Sequence, residues 1–469
     1  MPGDHRVRLQ NTLTGKVEEL VPVEDGKIGI YVCGVTPYDS AHVGHAMSLI
    51  VYDVLVRYLR WRGVEVTYVS NYTDVDDKLI DRGAAMGIDP LDLANRNIAQ
   101  WEDEQERLGL LKPDVRPRVS TEIENIVGMT EEIVANGYGY ATPSGDVYFR
   151  VRAKDDYGKL SHRNIDDLRS GTRFEPGDEK EFPLDFALWK AAKPGEPAWD
   201  SPWGKGRPGW HIECSAMSRR YLGERFDIHG GGLDLIFPHH ENEIAQAEAA
   251  ANDSDAFARI WMHNGMVQRD GEKMSKSLGN VVNVEDALRQ WSPDAIRLFV
   301  LMSHYRSRNN LTDEAMAAAT AGVERLARAA TRDVPDDDTG ARVDTPEGAR
   351  ESDFIDAMED DLDTSRALAA LFRLASTINR AIDAGQNGDD VRTMQATLGE
   401  LAGVLGLMLD STLNEGRDDA AEIEALLVER AEARQSKNFK RADAIRAELD
   451  ARGIVIEDTA QGARWSVKR

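Results

Sequence analysis

The stretch that decides the fold runs from Tyr31 to His45 and reads YVCGVTPYDSAHVGH. An apolar run over residues 28–32 leads into it and predicts a buried strand, and the small and apolar residues that follow Ser40 predict a helix. A glycine, a proline and an aspartate between the two predict a tight turn. The N-terminus of such a helix presents unpaired N–H groups to phosphates, and Cys33 falls at the strand end where open α/β sheets hold their ligands.

Two histidines, His42 and His45, fall on the predicted first turn of this helix, where they add donors for a phosphate. The motif is short, and an ordinary strand–loop–helix with surface histidines explains it equally well. A second apolar strand over residues 64–69 follows the helix, and a polar loop over residues 71–78 follows that strand. The order strand, helix, strand predicts the βαβ unit of a doubly wound parallel sheet.

Length and composition indicate a multidomain globular protein: the chain has 469 residues, of which 41 % are hydrophobic and 30 % are charged. Its first residues contain no apolar signal region and no apolar run is long enough to span a bilayer, so we expect a cytoplasmic protein. The two cysteines, Cys33 and Cys214, are expected to be reduced there, which favours a site over a disulfide.

The charge is strongly negative, with a net value of −25, and only 15 of the 57 basic residues are lysine. A surface of this kind is typical of proteins from salt-rich cytoplasms, and an acidic enzyme of an ordinary organism is the alternative. Such a charge opposes nucleic-acid binding unless basic residues cluster locally. Residues 430–469 form such a cluster, with ten basic against six acidic residues, and Trp465 is available there for stacking on RNA. A terminal helical hairpin with solvated charges is the other reading of this segment.

Two further segments carry candidate chemistry. His239 and Glu243 are four residues apart and share one helix face, so that both can reach one metal ion, and the two cysteines complete a set of four zinc-type ligands. Two buried cysteines and a solvated His–Glu face are the alternative. Lys273 and Lys276 lie in a glycine-flanked loop over residues 270–280 and can neutralise phosphates, unless that loop is merely exposed.

In this order and spacing the motifs resemble those of cysteinyl-tRNA synthetases, which are class I aminoacyl-tRNA synthetases. His42-Val43-Gly44-His45 resembles the His-Ile-Gly-His signature with valine in the second place, and the Lys-Met-Ser-Lys-Ser signature stands unaltered at residues 273–277. Residues 209–217 and 229–243 are similar to the corresponding segments of this family, and the resemblance extends over nearly the whole chain.

The resemblance implies an α/β fold: a Rossmann-type parallel-sheet catalytic domain with an insertion, an α-helical bundle and a small C-terminal anticodon-binding unit. We predict the catalytic domain at residues 1–265 with an inserted segment at about 115–208. The signature loop and its connecting helices follow at 266–332, the bundle at 333–413 and the terminal unit at 420–469.

The resemblance also implies a cysteine–tRNA ligase that uses ATP with Mg²⁺, L-cysteine and tRNA(Cys), binds one Zn²⁺ per chain and acts as a monomer. By their matches to family motifs, the implied zinc ligands are Cys33, Cys214, His239 and Glu243, and the implied catalytic residues are His42, His45, Lys273 and Lys276. The implied ATP-binding residues are His42, His45, Gly231, Asp234 and Lys276. The implied cysteine-binding residues are Gly34, Thr73 and Trp210, and the implied tRNA-binding residues are Arg464 and Trp465.

Two alternatives remain at this point. The turn Val35-Thr36-Pro37-Tyr38 departs from the Thr-Val-Tyr of many family members and resembles the related ligase that joins cysteine to an amino sugar in mycothiol synthesis. Asp76-Asp77-Lys78 and the long C-terminal region oppose that reading. A catalytically silent tRNA-binding paralogue is the second alternative, and the intact lysine and histidine motifs oppose it.

Overall fold

The computed structural model describes residues 6–165, 179–274, 279–334, 340–409, 420–436, 438–451, 454–459 and 462–467. Contacts between Cα atoms divide the chain into two compact units, Met1–Leu409 and Asp410–Arg469. The predicted domain boundaries are finer than this division and remain predictions. Within the described ranges, no helix combines the length and apolar character needed to cross a membrane.

The centre of the first unit is a four-stranded parallel sheet. Its strands are β3 (Lys27–Val32), β4 (Glu65–Ser70), β9 (Arg225–Gly232) and β10 (Phe257–Asn264), in the spatial order β10-β9-β3-β4. In chain order, β4 is added on one side of β3, and β9 followed by β10 is then added on the other side. The crevice between the carboxyl ends of β3 and β9 is therefore the topological switch point, where open α/β sheets bind ligands. The predicted doubly wound sheet is confirmed.

Helix α1 (Val43–Trp61) connects β3 to β4 and packs one apolar face on the sheet. The predicted start at Ser40 was wrong by a few residues: His45 lies in the first turn, as predicted, but His42 precedes it. His42 has extended backbone angles and is the N-cap, and its ring accepts a hydrogen bond from the Gly44 N–H. The side chain at the cap thus determines where the helix begins.

A hairpin precedes the sheet and two helices follow β4. The hairpin strands β1 (Arg8–Asn11) and β2 (Lys16–Glu19) are antiparallel, as their alternating sequence predicts. Helices α2 (Asp77–Met86) and α3 (Pro90–Arg107) are capped by the carboxylates of Asp76 and Asp89, and Pro90 opens α3 because its missing N–H costs nothing there.

The interval predicted to be inserted holds its own antiparallel sheet. Helix α4 (Ile123–Ala135) leads into strands β5 (Gly139–Ala141), β6 (Val147–Phe149), β7 (Phe186–Ala191) and β8 (Gly206–Pro208), which neighbour one another in chain order. Gly209 then turns the chain into helix α5 (Trp210–Leu222). A Cβ at Gly209 would lie 1.9 Å from the Ala187 carbonyl oxygen, so this close return to the sheet requires glycine.

A kinked turn separates β9 from the next helix. The three glycines, residues 230–232, are the last residues of β9. Helix α6 (Glu241–Ala251) begins after the turn over Ile236–His240. Phe237 has extended angles, φ −137° and ψ 130°, which interrupt the helix.

The remainder of the first unit is mostly helical. A small sheet contains β11 (Val267–Arg269), β12 (Glu272–Lys273) and β13 (Asn309–Leu311). Between β12 and β13 the chain forms α7 (Val284–Gln290) and α8 (Pro293–Leu301), which Trp291 and Ser292 separate. The bundle comprises α9 (Asp313–Thr331), α10 (Glu351–Met358), α11 (Thr364–Asp383) and α12 (Gly388–Val404). The second unit contains α13 (Ala420–Gln435), α14 (Phe439–Ala451) and the antiparallel strands β14 (Ile454–Thr459) and β15 (Gly462–Val467).

A buried ion pair fixes α1 relative to the rest of the first unit. Arg297 on α8 is 1 % exposed and donates to Asp53 of α1 at 2.6 Å, while Asp53 also accepts from the Leu111 N–H at 2.6 Å. Removing one partner of a buried pair costs about 3–5 kcal/mol because the other charge stays buried. The helix that presents the histidine signature is therefore held from its middle as well as from its cap.

Candidate functional site

The histidine signature forms a reciprocal cap at the start of α1. The His42 ring accepts from the Gly44 N–H at 3.1 Å, and the Nδ1 atom of His45 accepts from the His42 N–H at 3.2 Å. The two rings stack with centroids 3.8 Å apart. Acceptance at Nδ1 requires the Nε2–H tautomer of a neutral imidazole, so each ring presents a donor at its far nitrogen. This arrangement suits an anion at the helix N-terminus.

The lysine loop reaches the same turn. Lys273 is exposed at the end of β12, and the Met274 Cε atom would lie 3.8 Å from a Cβ at Gly44. Beyond the loop, the Val282 carbonyl accepts from the Val43 N–H at 3.0 Å. Both described ends of the loop thus flank the histidine signature, while Lys276 lies outside the described residues.

The four predicted metal ligands converge although they lie on different elements. Cys33 follows β3, Cys214 lies on α5, His239 lies on the turn before α6 and Glu243 lies on α6, and their donor atoms all fall within 4.8 Å of one another. The His239 Nε2 atom is 3.0 Å and the Cys33 Sγ atom 3.5 Å from Glu243 Oε1. Both cysteines are free thiols.

Two histidines that the sequence analysis did not single out complete this group. His229 lies within β9, and His240 follows His239; their Nε2 atoms are 3.5 and 3.3 Å from Cys33 Sγ, respectively. With Cys33 and Glu243 they form a second, overlapping set of potential metal donors. The sequence did offer a signal for His240: it lies three residues before Glu243, a spacing that also places two side chains on one helix face.

The electrostatics of the group favour a bound positive charge. Burial alone would raise the pKa of Glu243, but the adjacent His229 and His239 lower it well below its usual range. Burial opposes charge on His239 too, yet Glu243 and Cys214 raise the pKa of His239 to about 10. The hydrogen bond with Cys33 lowers the pKa of Cys214 to about 6. A carboxylate and an acidified thiol therefore face each other in a buried place.

The residues fit a zinc-type ion. Zinc prefers sulfur, imidazole and carboxylate donors in a tetrahedron with bonds of about 2.0–2.3 Å, which separates neighbouring donors by about 3.3–3.8 Å. The distances of 3.0 and 3.5 Å from Glu243 Oε1 to its neighbours are close to that spacing. In addition, the buried Glu243 Oε2 atom lies 3.3 Å from His229 Nε2, so its partner is another potential donor of the same group.

The predicted cysteine-binding residues surround this group. Gly34 donates to the Asn71 side-chain oxygen at 2.9 Å, and a Cβ at Gly34 would lie 1.6 Å from the Asn71 carbonyl oxygen, so only glycine fits. Thr73 is 2 % exposed, and its hydroxyl accepts a hydrogen bond from the Asn71 side-chain amide at 3.3 Å. The Trp210 ring stacks on His239 with centroids 4.3 Å apart and is 38 % exposed. Trp210 thus lies directly against one of the metal-type donors, and Gly34 follows another of them, Cys33, in the chain.

The predicted adenosine residues lie at the end of β9 and just after it. The space that a Cβ at Gly231 would fill is taken by the side chains of Leu235 and His240, at 2.8 and 2.9 Å, so packing within the protein already accounts for this glycine. Asp234 lies in a short 3₁₀ turn and is exposed. Their role in binding ATP remains a prediction.

The predicted tRNA residues lie in the second unit. Arg464 and Trp465 are on β15, in register with Glu457 and Ile456 of β14. Their contact with tRNA remains a prediction.

Comparisons with known proteins identify the family along the whole chain. Residues 19–321 match the profile described as tRNA synthetases class I (C) catalytic domain, residues 353–410 match the DALR domain, and residues 417–465 match the cysteinyl-tRNA ligase anticodon binding domain. A cysteine–tRNA ligase of Dehalococcoides mccartyi is 48 % identical over 463 residues, which cover 98 % of this chain and 100 % of that protein. One of Halorhodospira halophila is 50 % identical over 464 residues, covering 98 % and 99 %.

A solved structure shares the fold. Methionyl-tRNA synthetase of Mycobacterium tuberculosis in complex with methionyl-adenylate aligns with a TM-score of 0.58 over 86 % of this chain and 94 % of that one. At 18 % sequence identity this similarity concerns the fold alone. The profile matches and the full-length relatives show that the chain belongs to the cysteinyl-tRNA synthetase family, a family of class I aminoacyl-tRNA synthetases.

Proposed function

We propose that this protein ligates L-cysteine to tRNA(Cys) in two steps. The carboxylate of cysteine attacks the α-phosphorus of ATP, which forms cysteinyl-adenylate and releases pyrophosphate. A hydroxyl of the terminal adenosine of the tRNA then attacks the activated carbonyl carbon, and AMP leaves. The observation that carries the proposal is the buried group of four potential metal donors at the switch point of the sheet, with Trp210 stacked on His239.

Amino-acid selection is assigned to the pocket and the metal-type donors. Cys33, Cys214, His239 and Glu243 would hold one Zn²⁺. When bound, the ion is a soft Lewis acid that binds a cysteine thiolate in preference to a serine hydroxyl. Cysteine and serine differ by one atom, and the shape of a site alone discriminates poorly between them. Thr73 and Trp210 would orient the rest of the amino acid.

Activation is assigned to the helix N-terminus and the lysine loop. The step needs no protein nucleophile, because it depends on positioning of the reactants and on neutralisation of charge on the phosphates. His42 and His45 would donate to the ATP phosphates, which enter with Mg²⁺, and Lys273 and Lys276 would add mobile positive charge. Gly231 and Asp234 would border the adenosine.

The second unit would dock the distal part of the tRNA through Arg464 and Trp465. A ligase for an amino sugar has no use for an anticodon-binding domain, so the match of residues 417–465 opposes that alternative. A silent paralogue is opposed by the complete donor group and the intact histidine cap. The relatives of this chain are cysteine–tRNA ligases, which supports a cytoplasmic enzyme, and a monomer is our working proposal.

The test is substrate-dependent ATP–pyrophosphate exchange followed by transfer to tRNA. Purified protein should exchange pyrophosphate with cysteine but not with serine, contain one zinc per chain by elemental analysis, and charge tRNA(Cys). Exchange with cysteine and transfer to an amino sugar in place of tRNA would contradict the proposal.

A further inference from the structure

The acidic motif Asp76-Asp77 follows the central strand β4, and the proposed function gives it no role. Asp76 caps α2 through the Lys78 N–H at 2.9 Å, which is an ordinary helix start. Asp77, the first residue of α2, instead points to the inserted sheet. Its two carboxylate oxygens pair with Lys190 of β7, at 2.6 Å, and with Arg207 of β8.

The two cations that Asp77 contacts need a common counter-charge. Lys190 and Arg207 are direct cross-strand partners in the β7–β8 register, and like charges placed opposite one another destabilise a sheet. Arg207 is only 4 % exposed in its side chain, and its other carboxylate partner is Glu196 at 3.1 Å. Burial would raise the pKa of Asp77, but Lys190 and Arg207 lower it below its usual value, so the bridge is between full charges.

The position of this bridge in the chain links it to the pocket. Asp77 stands four residues after Thr73, and Arg207 stands three residues before Trp210. Thr73 and Trp210 are the residues proposed to line the amino-acid site. A second link joins the same two segments: the Asn71 amide donates to the Thr73 hydroxyl at 3.3 Å, and Asn71 Oδ1 lies 3.8 Å from Cys214 Sγ on the helix that Trp210 begins.

We propose that Asp77 is a positioning residue for L-cysteine: by bridging Lys190 and Arg207 it fixes the inserted sheet, and with it Trp210, against the segment that carries Thr73. The inference rests on the proposed function and deepens it. It assigns to the inserted sheet a part in shaping the amino-acid site, and it leaves the metal donors and the phosphate-binding turn untouched.

The experiment uses the full-length protein in cysteine-dependent pyrophosphate exchange, with cysteine and ATP each varied. Asp77→Asn should raise the KM for cysteine about tenfold, which is typical when a hydrogen bond to a charged group is lost. The KM for ATP and the zinc content should stay unchanged. The matched control is Asp81→Asn, an exposed carboxylate one turn further along α2, which should behave as wild type.

A second variant separates positioning from simple folding support. In the Asp77→Asn background, Lys190→Gln removes one of the two cations left facing each other, so the double variant should regain part of the cysteine KM. An Asp77→Asn protein with the wild-type cysteine KM would overturn the inference. Equal rises in both KM values together with a fall in melting temperature would overturn it too. Wild-type protein without cysteine-dependent exchange would overturn the proposed function and this inference together.

Discussion

At the residue scale, the donor group shows how one buried charge depends on its neighbours. Glu243 is fully buried, and its carboxylate is tolerated because His229 and His239 lie at 3.3 and 3.0 Å. Burial of an isolated carboxylate would instead cost several kcal/mol. The same imidazoles and thiols are donors for a zinc-type ion, so the group that stabilises Glu243 in the protein alone is also the group proposed to bind metal.

Replacement of one donor should affect metal and cysteine together. We expect Cys214→Ser to weaken zinc binding more than about tenfold and to raise the cysteine KM in exchange, while the KM for ATP stays unchanged, because the ligand sulfur is lost but the phosphate turn is not. Chelator competition and elemental analysis measure the first effect. Ser218→Ala, one turn along α5, is the control. A Cys214→Ser protein that keeps one zinc and selects cysteine as well as wild type contradicts the ligand assignment.

At the scale of elements, the fold brings a loop and a helix start to one place. The loop after β12 begins at Met274 beside Gly44 and returns at Val282, which bonds to the first residue of α1. A lysine in such a loop can reach phosphates held at the helix N-terminus as a mobile point charge.

Removal of the central lysine of this loop should slow adenylate formation. We expect Lys276→Ala to lower the kcat of pyrophosphate exchange about a hundredfold or more, because a charge contact made in the transition state is lost. Lys205→Ala, which removes a 72 % exposed lysine of the inserted sheet, should leave exchange unchanged. Equal exchange rates in Lys276→Ala and wild type would refute the assigned role.

At the scale of the whole molecule, the division after Leu409 predicts separable activities. The N–H of Leu409 bonds to Asp294 on α8 at 3.0 Å, so the first unit keeps its own last residues in place. Deletion of residues 410–469 should preserve cysteine-dependent exchange and abolish charging of tRNA. Parallel assays of the two steps test this. Loss of both would mean that the second unit only supports folding, and loss of neither would favour the amino-sugar ligase.

The charge of the whole molecule predicts a response to salt. With a net charge of −25, the acidic side chains repel one another at low ionic strength. Salt screens this repulsion, because the Debye length falls to about 3 Å at 1 M. We expect the melting temperature to climb as KCl rises to molar levels, and the salt dependence of tRNA affinity to be shallow. A melting temperature that stays flat or falls between low and molar KCl would show that the acidity is no adaptation to salt.

The sequence by itself determined the elements and the family. The periodicity of apolar residues and the turn residues predicted the strand, turn and helix around Cys33 and the second parallel strand, because these signals act between residues that are close in the chain. The pairing of His239 with Glu243 was predictable for the same reason, because a spacing of four residues places both on one helix face. A predicted helix boundary was wrong where a side chain has an uncommon role, since His42 is the N-cap of α1.

Only the tertiary structure decided which distant residues meet. Cys33 and Cys214 meet because α5, which carries Cys214, packs against β3, and His229 enters the donor group because β9 lies beside β3. Asp77 meets Lys190 because the inserted sheet folds back on α2. Strand order and the docking of a sheet on a helix depend on packing summed over the whole core, which no local period or spacing in the chain encodes.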